Sequence, residues 1–303
     1  MKKTMRIIVS LITDDNDFQV EQAAAAEETA RRLGLEVQIL YAENDSITQS
    51  QQLLRIIQST SKSDVHAIVV EPAGGTAFPQ VAQAATAAGI GWVLLNRDAD
   101  YISSLRNTYK VPVFSVSADH EEIGRIQGRQ FAAMLPRGGT VLYIQGPSTS
   151  PVATQRTAGL YEAKLNNIQI KLLKSATWTE TSGHQAIASW LRLSTSRREQ
   201  IDVVGGQNDD IAIGARRAFQ ELATKVEWER WSKIPFTGVD GLPKTGQSWV
   251  DSGLLTATII VPPNTAPALE MLAQAFSKGT QPPLSTLVRS TSFPNTKLLA
   301  GGR

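Results

Sequence analysis

The stretch Arg6-Ile7-Ile8-Val9-Ser10-Leu11-Ile12, followed at once by Thr13-Asp14-Asp15-Asn16-Asp17-Phe18, decides the fold. An apolar run with little alternation reads as a strand buried on both faces of a parallel sheet, since a half-exposed strand would alternate apolar and polar positions. The polar cluster then sits where the chain leaves the sheet, ahead of a helical segment at Phe18–Leu33. The same grammar recurs. Ala67–Val70 runs into Glu71–Gly75, Trp92–Leu95 into Asn96–Asp98, Ile201–Val204 into Gln207–Asp210, and Pro235–Val239 into Asp240–Gly241. In an open α/β sheet, ligands bind beyond the carboxyl ends of the strands. Folding would therefore gather these Asp, Asn, Glu and Arg side chains at sheet rims, a chemistry suited to something small, uncharged overall and rich in hydroxyls.

Between the strands lie helical periodicities. Ile211, Ala215, Ala218, Phe219 and Leu222 share one face, as do Ile123, Ile126, Phe131, Met134 and Leu135, and again Ala268, Leu269, Leu272, Ala275 and Phe276. Gly34 and Gly89 stand where helices must turn into the next strand. The opening unit is also repeated: Thr140–Gln145, a polar loop, helix Pro151–Leu165 and strand Ile168–Leu173 match Arg6–Ile12, its loop, its helix and strand Glu36–Leu40. Two similar α/β lobes follow, with Val116–Asp119 and Asp240–Val261 as the places where the chain passes between them. Tyr101–Pro112 and Thr224–Lys233 read as surface excursions, and Trp228 and Trp231 in the second as a patch against their own lobe.

Bulk composition narrows the function classes. The 303 residues suffice for two domains. Thirty basic against 28 acidic residues give a net charge of +2, too weak for a polyanionic partner, so no nucleic acid is expected. The absence of cysteine excludes disulfides and thiol chemistry. No run approaches the ~18 apolar residues of a membrane span. Met1–Arg6 carries the charge that opens a signal peptide, but Ile7–Ile12 is too short for its apolar region.

No enzyme signature is present: there is no G-x-S-x-G elbow, no G-x-G-x-x-G after a strand and no phosphate-binding P-loop. His66, His120 and His184 lack metal-ligand spacing and read as surface or capping residues. Asp14, Asp15 and Asp17 lack the pattern of a calcium loop and suit capping of the helix that follows. Neither a cofactor nor a resident metal is expected, and no catalysis. Arg97 needs carboxylate or ligand oxygens for its five donors. Phe18 and Trp178 offer flat faces for the C–H side of a sugar ring, although either ring would serve equally as core filling.

At these residues the sequence resembles the periplasmic sugar-binding proteins of the ribose-binding type, which share their fold with the effector domains of LacI-type repressors. The resemblance runs from Met5 to about Thr286. It is carried in order by Asn16-Asp17-Phe18, Leu95-Asn96-Arg97, Val116-Ser117-Ala118-Asp119 with Gly124, Gln155-Arg156-Thr157-Ala158-Gly159, Gln207-Asn208-Asp209 with Ile213-Gly214-Ala215, Gly238-Val239-Asp240-Gly241, and Gly253–Ile259. It implies two doubly wound parallel-sheet lobes joined by three crossovers, residues 4–117 with 262–281 and residues 118–261 with 282–303, closing about a hinge on a hydroxyl-rich ligand. It places Asn16, Phe18, Arg97, Arg156, Trp178, Asn208 and Asp240 at binding positions, with Asp209 beside them. Asn96 and Glu71 occupy binding positions with altered chemistry, the family often having Asp and Asn there. Gln19 stands where a second aromatic is common, and Val261 where an amide is common. The expected protein is a monomeric receptor that hands a monosaccharide or polyol to an ABC permease. It is expected in the periplasm with its leader absent from this sequence, or in the cytoplasm if Met1 is the native start. The alternative is the effector-binding domain of a sugar-responsive regulator or sensor; a first strand beginning near Met5 leaves no room ahead of it for a DNA-binding headpiece.

Overall fold

A computed structural model describes residues 4–59, 64–196 and 199–300. The chain divides into two units, Met1–Ala118 with Pro263–Val288, and Asp119–Pro262 with Arg289–Arg303, so it passes between them three times.

The first unit is built on a six-stranded parallel sheet in the order β11-β5-β4-β3-β1-β2. Its strands are β1 (Arg6–Leu11), β2 (Glu36–Tyr41), β3 (Ala67–Val70), β4 (Gly91–Leu95), β5 (Val113–Ala118) and β11 (Ser285–Val288). Successive side chains point to opposite faces, and both faces are apolar. Ile7, Val9 and Leu11 join Val69, Val93 and Phe114 under helices α1 (Asp17–Leu33) and α11 (Thr265–Lys278). Ile8, Ile68, Trp92 and Leu94 pack under α2 (Ser46–Ser59), α3 (Pro79–Ala87) and α4 (Tyr101–Thr108). Two sequence expectations are corrected here. Residues 101–112 are no surface excursion, because Ile102 and Leu105 anchor α4 in this core. Residues 282–288, expected in the second lobe, belong to the first, because β11 runs parallel to β5 in register Ser285 opposite Ser115.

The second unit repeats the plan. Strands β6 (Gly139–Gln145), β7 (Ile168–Lys174), β8 (Val203–Gly206) and β9 (Phe236–Thr237) pair in the parallel order β7-β6-β8-β9. Strand β10 (Thr258–Ile260) extends this order through parallel bridges Thr237 to Ala257 and Asp240 to Ile260, and pairs antiparallel with β12 (Thr291–Phe293). On one face α5 (His120–Met134) and α6 (Pro151–Ala163) cover Val141, Tyr143 and Val203. On the other, α7 (Glu180–Leu191), α8 (Asp209–Leu222) and α9 (Lys225–Trp231) cover Leu142, Ile144 and Val204. Trp231 is 1 % exposed, its ring centroid 4.7 Å from that of Phe219, so α9 closes the core rather than lying on the surface. Helices α5 and α6 touch backbone to backbone. A Cβ on Gly124 would lie 2.0 Å from the Arg156 carbonyl oxygen, so only glycine allows this approach.

Candidate functional site

Both units use the same strand order, in which the chain direction across the sheet reverses between the first and third strands of the unit. That reversal opens a crevice at the carboxyl ends of β1 and β3 in one unit and of β6 and β8 in the other. The predicted residues fall at these rims, five in each unit.

In the first unit Asn16 follows β1 with extended backbone (φ −132°, ψ 127°), and its carboxamide oxygen accepts from the Gln19 N–H at 3.2 Å. The cap of α1 is thus Asn16 rather than its acidic neighbours. Asp14 and Asp15 are exposed, and Asp17 sits in the first turn, where a carboxylate favours the helix dipole. Phe18 is buried at the start of the helix. The Gln19 Oε1 accepts from the Ile12 N–H at 3.0 Å, closing the loop that carries Asn16.

Glu71 leaves β3 with its N–H on the Ser10 carbonyl and its own carbonyl accepting from Gln49 Nε2 at 2.9 Å. Its carboxylate accepts from Gln22 Nε2 at 3.4 Å, and from Gln19 and Asn96. Burial pushes this carboxyl above the usual range, while the amides and the Arg97 charge pull it back. Asn96 lies in the left-handed region (φ 56°), which Asn tolerates, and its side-chain oxygen accepts from Asn264 Nδ2. Arg97 is half-buried. Its Nη1 donates to the Gly74 carbonyl at 3.0 Å and its Nη2 to that of Pro72 at 3.2 Å, which fixes the guanidinium to the loop after β3. Backbone carbonyls, not a carboxylate, hold it; burial lowers its pKa and Glu71 opposes this.

In the second unit Asn208 caps α8: its Oδ1 accepts from the Ile211 N–H at 2.9 Å and its Nδ2 donates to the Trp178 carbonyl at 2.8 Å. The half-buried Trp178 ring lies against Gly146, where a Cβ would come within 2.3 Å of it, and the Arg156 guanidinium carbon stands 5.7 Å from the ring centroid. Arg156, 5 % exposed on α6, donates to the Gln207 carbonyl and brings its Nη2 to 3.8 Å from Asp240 Oδ1. Asp240 holds a φ of 109° in a loop locked to β10: its N–H donates to Ile259 and its carbonyl accepts from Val261. The structure thus gathers Arg156, Trp178, Asn208 and Asp240.

Asp209 is a correction to the expected ligand set. Its Oδ1 accepts from the Thr258 hydroxyl and its Oδ2 from the Gly241 N–H, each at 2.7 Å, and its own N–H bonds the Val239 carbonyl. The side chain therefore ties β10 to the Asp240 loop from inside, buried at 4 % exposure, and is a support. Burial pushes its carboxyl up to about 8, against the lowering effect of the Thr258 and Gly241 bonds.

Gln22 and Asn264 were missed by the sequence reading. Gln22 Oε1 accepts from the Asn264 and Thr265 N–H groups at 2.7 and 3.1 Å while its other end meets Glu71, so one amide joins α1, β3 and α11. The signal for it existed: Gln22 is a polar residue four positions from Phe18 and from Ala26 on the buried face of α1. No cluster of His, Asp and Glu able to hold a metal occurs among the described residues, and no described helix is long and apolar enough to cross a membrane.

Comparison with known proteins bears on the family and the fold. The galactofuranose-binding protein YtfQ of Escherichia coli K12 is 26% identical over 293 residues, 95% of this chain and 87% of that protein. The ribose import binding protein RbsB of Bacillus subtilis is 26% identical over 225 residues, 74% and 68%. A solved galactofuranose binding protein shares the fold, with a TM-score of 0.80 at 24% identity over 95% of this chain and 94% of that one. A family model described as periplasmic binding protein domain matches residues 7–280, spanning both rims, and the chain belongs to that family.

Proposed function

We propose that this protein captures one monosaccharide or polyol without transforming it and delivers it to an ABC permease, the rim of each unit supplying part of the donor and acceptor set. The observation that carries the reading is the paired equipment of the two rims: an amide and an arginine with a carboxylate in each, and an aromatic ring in each. Asp and Asn grip hydroxyls, Arg donates to two oxygens, and a ring face covers the C–H side of a sugar. The names of its relatives, which bind furanose and pentose sugars, support the same class of ligand. A binder needs no nucleophile beside its acids, and the rim acids are engaged by amide and guanidinium groups instead. On this reading Phe18, Asn16, Glu71, Asn96 and Arg97 work from one unit and Arg156, Trp178, Asn208 and Asp240 from the other. The ligand shifts the population toward whichever arrangement satisfies both sets, by its differential affinity for the two. The site of action is the periplasm, where the family's receptors collect solutes for import.

A thermal-shift and calorimetric screen over monosaccharides and polyols tests this. The right ligand at about 100 times its dissociation constant should stabilise the protein by ~2.7 kcal/mol and be recovered chemically unchanged. Product formation, or stabilisation by no member of the screen, would count against it.

A further inference from the structure

We infer that the ligand carries an amine, as an amino sugar or aminopolyol does, and that Glu71 is the residue selecting it. This rests on the reading of the rims as a carbohydrate site, and departs from the uncharged ligand that the overall composition of the rims suggests. Glu71 is 6 % exposed at the switch point between β1 and β3. A carboxylate in that position accepts and never donates, and its burial is costly unless hydrogen bonds and a countercharge offset it. Its side-chain partners are neutral amides, those of Gln19, Gln22 and Asn96, the Gln22 contact being long at 3.4 Å. The cation in its field, Arg97, makes no ion pair with it among the described residues; its two outer guanidinium nitrogens donate instead to the Gly74 and Pro72 carbonyls. The amides orient the carboxylate but bring no positive charge to it.

A ligand ammonium supplies both missing properties, a compact cation and three donors facing an acceptor-only group. Charge-assisted bonds of this kind are roughly twice as strong as neutral ones. A hydroxyl in the same place donates one bond and adds no countercharge. The surrounding field has the right sign. Exposed Asp14, Asp15 and Asp17 lie on the loop and first turn after β1, against the cation Arg97 after β4, so among the described residues of these two loops the charge is net negative and attracts a cation.

The test is calorimetry at neutral pH with matched pairs: D-glucosamine, D-galactosamine and D-mannosamine against glucose, galactose and mannose, and D-glucamine against sorbitol. At least one amine should bind about 10-fold or more tighter than its hydroxyl parent, a tenfold preference being what a charged partner in place of a neutral one is worth. In Glu71→Gln that preference should vanish, the ratio of amine to parent affinity falling to about one, whatever the substitution does to the affinity of the parent itself. Circular dichroism checks that the variant is folded; if it is not, the matched pairs on the native protein still decide. Parents binding as tightly as every amine would overturn the assignment to Glu71 and leave the carbohydrate site standing. A preference that persists in Glu71→Gln would also overturn it. Failure of all eight compounds to bind would contradict the reading on which the inference rests.

Discussion

Asp209 and Arg97 show how differently side chains at one kind of position can be used. Both follow buried strands and both look, in the sequence, like polar residues waiting for a ligand. Asp209 instead turns inward, and its two oxygens hold Thr258 and Gly241. Because burial pushes its carboxyl up to about 8 from 3.8, the folded state holds the proton more tightly than the unfolded chain does. An acid raised in this way contributes stability fully below its unfolded value, and that contribution is lost as pH rises through about 8. Asp209→Asn removes the titration but keeps the size. In urea titrations, the stability of the native protein relative to this variant should therefore fall between pH 5 and pH 9. A pH-independent difference would show that the buried acid stays ionised. The residue types and their order were legible in the sequence. Which way each side chain turns was not, since that depends on Thr258 and Gly241 arriving from other elements. Gln22 escaped notice for a related reason: its partners Glu71 and Asn264 lie far away along the chain.

At the scale of elements, the apolar runs without alternation gave the central parallel strands directly, and the structure explains why: β1, β3, β4, β5, β6 and β8 are covered on both faces by helices. The failures were short elements whose burial is decided by neighbours. Helix α4 is held by Ile102 and Leu105, and α9 by Trp231 against Phe219. Strand β11 shows the pattern of an edge, exposed at alternate positions, so nothing local revealed that it pairs with β5. The contact of α5 with α6 offers a direct test. Gly124→Ala places a methyl 2.0 Å from the Arg156 carbonyl oxygen, a backbone atom that cannot rotate away. Overpacking of this sort costs ~1–3 kcal/mol, so the urea midpoint should fall accordingly. The displaced carbonyl belongs to Arg156, which we propose contacts the ligand, so ligand affinity should weaken as well. An unchanged midpoint would mean that the two helices slide apart freely.

Across the whole molecule, one strand order is used twice, and the chain crosses between the two units after Ala118, after Pro262 and after Val288. The repetition was visible in the matching spacing of strand, polar loop, helix and strand at Arg6 and at Thr140. It places equivalent crevices in each half, and each half carries only part of a plausible set of sugar contacts. Single-site titration calorimetry of the native protein, Arg97→Ala and Asp240→Ala, each with the best sugar or polyol from the screen, tests the joint use of both rims most directly. The account predicts one ligand per chain, with affinity reduced about 10- to 100-fold or more in each variant, the ~1.5–3 kcal/mol of a charged hydrogen bond, while both remain folded. Unchanged affinity in either variant would contradict it.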